Sequence, residues 1–360
     1  MKKILIVNPF GIGDVIFSTP LIEILKNSHP DLFIGYVCNK RAYEVIRSDQ
    51  KIDRFFIYEK DEYRAIWKKS KIRCAKQIID FLNGIKKERF NAVIDLSLGY
   101  QSGLLLKIIG IRNRFGFNYR KRGRFLTGKI DMDGFSEKHV IEYYCDILKF
   151  FGIDPQNYIL APKVYLADQD ARWADNFMKE NAISGQDLMV GVVPGCGASW
   201  GQDAKYRRWE KEKFARVADT LAEKYKAKVI LFGDSKDVEL CNSVKSIMEH
   251  DAVLTCGKTT IGEFLCLASR CALIVTNDGG PLHMSASLGV KTVSIFGPVD
   301  EKVYGPYPPS VNHLTITARV PCRPCYKNFK YVKCERQECL RNIKVEDVVS
   351  AADALLKGRD

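Results

Sequence analysis

The stretch that decides the fold is KILIVNPFGIGD, residues 3–14. A short apolar run ends at Val7, a turn with Gly11 and Gly13 follows, and apolar residues then recur at helical spacing over 15–25. An apolar run, a glycine-rich turn and an amphipathic stretch predict a strand, a loop and a helix in that order. The chain therefore begins with a βα unit.

The same alternation continues along the chain. It predicts strands at 32–37, 54–57, 92–96, 188–193, 229–232, 273–276 and 292–296, with helices between them, one of which spans 63–86. Such βαβ alternation implies parallel sheets, and 360 residues exceed what one core usually supports. We expect an α/β protein of two Rossmann-like domains facing across a cleft, 1–165 and 166–344, with a last helix, 345–360, packing back towards the first.

Composition and charge bound the class of partner. With 46% hydrophobic and 28% charged residues the chain is globular, and 56 Lys and Arg against 43 Asp and Glu give a net charge of +13. That charge fits nucleic acid, an acidic membrane leaflet or a phosphorylated substrate equally, but no common nucleic-acid motif is present. The sequence has no apolar stretch of membrane-spanning length and an early turn at its N-terminus. We expect a cytoplasmic protein.

The twelve cysteines fall into two groups. Eight are scattered through apolar segments, where we expect them to be reduced and to pack as small hydrophobic residues: Cys38, Cys74, Cys145, Cys196, Cys241, Cys256, Cys266 and Cys271. The other four lie together in one short segment: Cys322, Cys325, Cys334 and Cys339. A structural role is favoured for these four, and a structural zinc ion is the alternative, because their later spacings are irregular.

Asp14 follows the first glycine turn, at the start of the predicted helix. It either caps that helix or acts as a base that takes a proton from an acceptor hydroxyl, and the spacing leaves both interpretations open. Gly13 lets the backbone come close to a ligand. The turn is similar to a dinucleotide-binding fingerprint, but Ile16 occupies the third small position, which weakens an oxidoreductase reading.

Two further loops follow predicted strands. The first, residues 193–200, contains glycines and Ser199, and Lys205, Arg207 and Arg208 come soon after it. Glycines and cations at a strand end suit a diphosphate leaving group, whereas a solvated basic turn is the alternative. The second loop is NDGGPLH, residues 277–283, in which Asp278, Gly279 and Gly280 precede a helix whose first turn contains His283. A helix N-terminus behind glycines favours an anionic ligand.

A basic segment between residues 112 and 129 interleaves cations with aromatic residues. Arg120, Arg122 and Arg124 are its centre. A charge run is usually a solvated face, but several arginines in one place can also engage the phosphates or carboxylates of an anionic glycolipid. We expect these arginines to bind such an acceptor.

Taken in order, these motifs resemble glycosyltransferase family 9, the heptosyltransferases of lipopolysaccharide core assembly. The resemblance rests on residues 11–14, 194–209, 257–259, 277–283, 296–298 and the cysteine segment. It implies a GT-B fold and an inverting, metal-independent transfer of a sugar from a nucleotide-diphospho-sugar, typically ADP-heptose. The acceptor that it implies is a lipopolysaccharide-core or related glycolipid, which would place the protein peripherally at the inner membrane face.

The resemblance also implies site residues. Asp14 corresponds to the family's base. Arg207 stands where the family usually has a lysine that binds the donor phosphates, and Lys205 could share that task; the planar guanidinium differs in geometry from an ammonium. Asp278 would lie near the donor sugar, and Gly279, Gly280 and His283 near the diphosphate.

The reaction that the resemblance implies uses no bound metal. The pair Asp131-Met132-Asp133 matches a metal-binding pattern too short to be specific, so we interpret it as surface. Three alternatives stay open on the sequence alone: a different nucleotide-sugar donor, a nucleotide-binding oxidoreductase, and a binding protein without turnover.

Overall fold

The computed structural model describes residues 2–196, 198–327, 329–330 and 332–357, and at residues 198–200 and 202 it describes the backbone alone. Contacts divide the chain into two compact units, Met1–Lys163 and Val164–Asp360, where the sequence placed a boundary at residue 165. Each unit is built around its own sheet.

The first unit alternates strands and helices. Its strands are β1 Lys3–Val7, β2 Phe33–Cys38, β3 Arg54–Ile57, β4 Ala92–Asp95, β5 Asn113–Tyr119 and β6 Gly128–Met132. Its helices are α1 Ile12–Phe17, α2 Thr19–Ser28, α3 Lys40–Ile46, α4 Lys60–Lys69, α5 Lys71–Lys87, α6 Tyr100–Ile108 and α7 Val140–Asp146, with 3-10 turns at Ile147–Phe151 and Pro155–Asn157. The strands form one parallel sheet in the order β3-β2-β1-β4-β5-β6.

The second unit repeats the arrangement. Its strands are β7 Met189–Val193, β8 Lys228–Leu231, β9 Ala252–Leu254, β10 Leu273–Asn277, β11 Thr292–Phe296 and β12 His313–Thr317. Its helices are α8 Asp168–Glu180, α9 Lys211–Tyr225, α10 Val238–Ile247, α11 Ile261–Ala268, α12 Gly280–Ser287, α13 Glu301–Tyr304, α14 Glu338–Arg341 and α15 Val345–Leu356, with a 3-10 segment at Ala198–Arg207. The sheet is parallel, in the order β12-β11-β10-β7-β8-β9.

Both sheets have the Rossmann strand order, which confirms the predicted fold class. In each sheet the strand order changes direction at one place. This place lies between β1 and β4 in the first unit and between β7 and β10 in the second. In open α/β sheets the ligand crevice lies outside the carboxyl ends of the strands at this switch point. Ligand-binding residues are therefore expected directly after β1, β4, β7 and β10.

Three local expectations need correction. The helix predicted at 63–86 is two helices, because Ser70 ends α4 and its side chain accepts a hydrogen bond from the Arg73 amide at the start of α5. Cys241 and Cys256, expected to be reduced, form a disulfide in the second unit. The apolar face of α15, expected to pack towards the first domain, is buried in the core of the second unit beside α9.

No described helix has the length and apolar character needed to cross a membrane.

Candidate active site

Asp14 lies in the first turn of α1, and Gly11 is the N-cap residue of that helix. Asp14 is therefore not the N-cap residue, since it lies three positions after Gly11. Asp14 and Gly13 are both half-buried. A half-exposed carboxylate at the carboxyl edge of the sheet is accessible to a ligand, as a base must be.

Two asparagine side chains that sequence reasoning missed hold the glycine turn in place. The Asn8 Nδ2 donates to the Asp14 carbonyl oxygen at 3.0 Å, and the Asn39 Nδ2 donates to the Phe10 carbonyl oxygen at 2.6 Å. Asn8 is fully buried. Because both contacts are to the backbone, they fix the path of the turn. An asparagine that ends an apolar strand is the signal that could have identified Asn8.

Asp95, at the end of β4, was also missed. It is aligned with Val7 in the neighbouring strand β1, so it lies at the same sheet edge as the glycine turn. The buried carboxylate accepts hydrogen bonds from the Ser97 amide and the Ser102 hydroxyl, at 3.0 and 2.5 Å. Burial raises the pKa of Asp95, and these hydrogen bonds lower it in part. Because both carboxylate oxygens accept hydrogen bonds from the residues that follow β4, Asp95 fixes the path of that loop.

In the second unit the switch point brings the two predicted loops together. β7 and β10 are neighbours, with Val193 aligned to Thr276. The buried Asn277 joins the loops: its Nδ2 donates to the Pro194 carbonyl oxygen at 2.8 Å, and its Oδ1 accepts from the Trp209 amide at 2.9 Å. Residues 194 and 209 are thereby fixed beside the start of α12.

Arg207 and Asp278, both predicted at the donor site, form an ion pair. Their side chains are 11% and 4% exposed, so the pair is largely shielded from water. Burial raises the pKa of the Asp278 carboxyl, and the adjacent Arg207 guanidinium lowers it in part. Lys205 is exposed, with its Nζ 5.2 Å from the centre of the Tyr206 ring. The side chain of Ser199 lies outside the described residues.

A second ion pair, Arg208 with Asp237 at 2.8 Å, lies beside the first. Asp237 precedes α10, in the turn after β8, and packs against Gly195: a Cβ on Gly195 would lie 2.2 Å from the Asp237 Oδ2. Burial raises the pKa of Asp237, as does the nearby Asp234. Sequence reasoning missed Asp237, because its partners at 195 and 208 come close only in the folded sheet.

The glycine pair leads into α12. Gly280 is the first residue of that helix, Pro281 is in its first turn, and Gly279 is the N-cap residue. His283 is buried in the first turn, and its carbonyl oxygen accepts from the Ser287 hydroxyl at 2.7 Å. The helix N-terminus thus lies behind Asp278, with a local preference for negative charge.

The predicted acceptor arginines lie on the loop between β5 and β6 in the first unit. Arg120, Arg122 and Arg124 are exposed. Their guanidinium carbons lie within 5.0, 5.7 and 4.8 Å of the ring centres of Tyr119, Tyr119 and Tyr100. Arg114, in the same basic segment but within β5, is buried instead, and its guanidinium donates to the carbonyl oxygens of Phe125 and Arg112.

Across the ranges that the structure describes, no three His, Cys, Asp or Glu side chains are placed so that they could hold a metal ion.

Comparisons with known proteins point to one family. The family model described as glycosyltransferase family 9 (heptosyltransferase) matches residues 78–335. Lipooligosaccharide heptosyltransferase 2 of Campylobacter jejuni is 25% identical over 99% of this chain and 98% of that protein.

Two solved structures have a similar fold. A glycosyl transferase family 9 protein from Veillonella parvula has a TM-score of 0.79 and 24% identity, over 99% of this chain and 98% of that one. ADP-heptose lps heptosyltransferase II of E. coli has a TM-score of 0.76 and 21% identity, over 99% of both chains. The family match covers well over half of the sequence, so the chain belongs to glycosyltransferase family 9 and is a glycosyltransferase with the GT-B fold.

Proposed function

We propose that the protein transfers a heptose from ADP-heptose, with inversion, to a lipopolysaccharide-core or related anionic glycolipid. One observation carries the proposal: at the carboxyl ends of β7 and β10, Arg207 pairs with Asp278 just before α12, and the neighbouring Arg208 pairs with Asp237 just before α10. Cations and a helix N-terminus together suit a sugar diphosphate. The named relatives support heptose as the sugar and ADP as the nucleotide.

In this proposal the first unit binds the acceptor and Asp14 is the base. The Asp14 carboxylate accepts the proton of the acceptor hydroxyl while that oxygen forms a bond to the anomeric carbon of the donor. The bond between the anomeric carbon and the diphosphate breaks on the opposite face, and ADP leaves. The amides of Asn8 and Asn39 keep the turn that carries Asp14 in one conformation.

The second unit, in turn, binds the donor and stabilises the leaving diphosphate. Arg207 has five N–H donors, so it can keep Asp278 as a partner and still donate to a phosphate oxygen. Lys205 and the amides of Gly279 and Gly280 would add to that stabilisation, and His283 in the first turn would contact the diphosphate. With this charge supplied by the protein, we propose that the chemical step needs no bound metal and no cofactor besides the nucleotide-sugar.

The exposed arginines of the β5–β6 loop would bind the anionic acceptor. Arg120, Arg122 and Arg124 are held against aromatic rings, which limits the conformational freedom lost on binding phosphate or carboxylate groups. An acceptor embedded in a membrane implies that the protein works at the cytoplasmic face of the inner membrane, as a peripheral protein.

The proposal is tested first by ligand binding. Purified protein is heated with ADP-, UDP-, GDP- and CMP-linked sugars and with NAD and FAD, since a ligand of the native state raises the unfolding midpoint. Selective stabilisation by ADP-heptose is expected. Selective stabilisation by another nucleotide-sugar would replace the donor, and no stabilisation by any would contradict the proposal.

Transfer is then measured by mass spectrometry, as the gain of one heptosyl group by a core acceptor that lacks heptose. Binding of ADP-heptose without any gain in mass would favour a binding protein over an enzyme. Asp61→Asn, a fully exposed carboxylate on α4, serves as the matched control for changes at Asp14.

A further inference from the structure

The connection between β3 and β4 carries two helices, α4 and α5, that add little to the core of the first unit. No residue of α4 is buried, and in α5 only Cys74 and Ile85 are buried. Aromatic contacts hold the inner side of the pair: the Tyr58 ring, directly after β3, stacks on the Tyr63 ring at 5.1 Å and lies 5.8 Å from the Phe81 ring. The outer side of both helices faces solvent.

Large apolar side chains are exposed on these helices. Trp67 of α4 is 51% exposed, and Ile72 and Ile79 of α5 are 85% and 56% exposed. Because Ile72 and Ile79 are two helical turns apart, they lie on one face of α5. The Lys71 Nζ lies 5.8 Å from the centre of the Trp67 ring, at the corner between the two helices. Single exposed apolar residues are ordinary, but three within thirteen positions are typical of a surface that binds a partner or a membrane.

The same stretch is strongly basic. Residues 63–79 contain no acidic residue and six cations, which are Arg64, Lys68, Lys69, Lys71, Arg73 and Lys76. All six are exposed. Arg64 pairs with Asp61 at 3.5 Å, whereas the other five make no ion pair within the part of the chain that the structure describes. Cations beside exposed Trp and Ile side chains fit the charge of an anionic lipid leaflet and the mixed polarity of its interface.

These helices and the arginines of the β5–β6 loop lie on one side of the first sheet. Ile85 of α5 and Leu106 of α6 are buried in the same apolar cluster against that sheet. The β5–β6 loop contacts α6 through Arg124, whose guanidinium carbon lies 4.8 Å from the centre of the Tyr100 ring. A membrane that contacts α5 is therefore on the same side of the sheet as the loop proposed to bind the acceptor.

We propose that the exposed side of residues 63–79, the α4–α5 surface, docks the protein on an anionic lipid bilayer. The inference rests on the proposed function and deepens it, because an acceptor that stays in the bilayer requires the enzyme to come to the lipid surface. Trp67 and Ile72 enter the headgroup region, and the lysines around them bind lipid phosphates. The two contributions add, since interfacial binding depends on buried apolar area together with electrostatic attraction.

Vesicle binding tests the proposal without any sugar transfer. The whole protein is centrifuged with vesicles of equal parts phosphatidylcholine and phosphatidylglycerol, or of phosphatidylcholine alone, neither containing glycolipid. Binding to the anionic vesicles should be at least about tenfold tighter and should weaken as salt is added, because each lysine near an anionic surface contributes about fivefold. Equal binding to both kinds of vesicle, or binding to neither, would overturn the proposal.

Two variants separate the contribution of charge from that of apolar area. The triple variant Lys68→Gln/Lys69→Gln/Lys71→Gln should bind anionic vesicles about 10–100-fold more weakly. The double variant Trp67→Ser/Ile72→Ser should bind them at least about fivefold more weakly. All five side chains are exposed, so the unfolding midpoint of each variant should match that of the unchanged protein.

Matched controls come from exposed positions outside the two helices. Lys179→Gln/Lys226→Gln/Lys228→Gln removes the same charge from the second unit, and Ile159→Ser removes an isoleucine that is 86% exposed. Both controls should bind anionic vesicles as the unchanged protein does. If the control triple variant lost as much affinity as the triple variant of the α4–α5 surface, overall charge would explain the binding and the proposed surface would be wrong.

Transfer assays distinguish failure of this inference from failure of the proposed function. With a soluble core acceptor that lacks its lipid, the two α4–α5 variants should transfer at the rate of the unchanged protein. With the acceptor in anionic vesicles, their rate should fall with the fraction of protein bound. Absence of vesicle binding, with normal transfer to the soluble acceptor, would remove the docking surface and leave the proposed function in place. Vesicle binding without any transfer would contradict the function instead.

Light scattering tests whether a second copy of the chain occupies the surface. The unchanged protein and the double variant Trp67→Ser/Ile72→Ser should have the same mass in solution. A dimer that this variant converts to a monomer, with no loss of vesicle binding, would assign the surface to self-association and overturn the proposal.

Discussion

The two units use the same local element, a strand followed by a glycine turn and a helix, to hold a carboxylate in opposite ways. Asp14 is half-buried in α1, and the turn around it is held through its backbone by asparagine amides. Asp278 is buried before α12 and is paired with Arg207. A half-exposed carboxylate can reach a substrate proton, whereas one paired with a guanidinium keeps its charge in place. The same element thus presents either a carboxylate that can accept a proton or one that is fixed in an ion pair, depending on its neighbours.

The largest expected effect concerns Asp14, the proposed base. Asp14→Asn keeps the shape of the side chain but removes the base, so kcat should fall by about 10²–10⁴-fold. Donor affinity should stay unchanged, because the base acts only in the chemical step. Turnover with ADP-heptose and calorimetric donor binding measure the two quantities. Asp61→Asn should leave both as they were, and retained turnover in Asp14→Asn would remove Asp14 from the mechanism.

The buried ion pair between Arg207 and Asp278 is tested through the free energy of unfolding. Arg207→Met and Asp278→Leu each leave a buried charge without its partner, so each should lower the free energy of unfolding by about 3–5 kcal/mol. The double variant should lose clearly less than the sum of the two. Urea-induced unfolding measures all three variants.

An exposed pair in the same unit provides the control. Arg270 and Asp175 lie 3.0 Å apart and are about half exposed, so their removal should cost no more than about 1 kcal/mol. Strictly additive losses at Arg207 and Asp278 would show that the two charges are not coupled, and the contrast with Asp14 would then fail.

The next prediction concerns Gly195, which packs against the Asp237 carboxylate beside the proposed donor site. Gly195→Ala places a Cβ against the Asp237 carboxylate, which must then shift together with Arg208. We expect a loss of stability of about 1–3 kcal/mol, as for other overpacked sites, and weaker donor binding. In Gly185→Ala the added Cβ meets no atom within 4 Å, so that variant should bind the donor normally. Equal donor affinity in both variants would exclude Asp237 from the support of the donor loops.

Sequence alone predicts the two Rossmann sheets, because their central strands are continuous apolar runs between glycine turns. It misses β5 and β6, because seven arginines and lysines are scattered through residues 112–129 and interrupt the apolar pattern of the strands. The outer strands β9 and β12 are too short or too polar to stand out.

The candidate residues are predictable in type but not in partnership. Arg207 and Asp278 are 71 positions apart, and Arg208 and Asp237 are 29 apart. They meet only because β7 lies between β10 and β8 in the folded sheet. The link that Asn277 makes between the two loops could not be predicted for the same reason, since a local sequence pattern does not indicate which strands become neighbours.

The smallest expected effects concern the exposed arginines of the first unit. The first unit's cations, Arg120, Arg122 and Arg124, are exposed, in contrast to the buried Arg207. Each contact of an exposed cation is worth about 1 kcal/mol or less, so each alanine variant should raise KM for the acceptor by at most about fivefold. Donor affinity should not change.

Because exposed charges are screened by salt, the effect of these three variants should shrink as ionic strength rises, which effects at Arg207 should not do. Acceptor KM measured at low and high salt separates the two kinds of cation. Lys129→Ala, an exposed cation on β6 in the same basic segment, serves as the control and should leave KM unchanged. If Lys129→Ala raised KM as much as Arg124→Ala, the segment would attract the acceptor by its overall charge, and the arginine loop would not be a defined binding site.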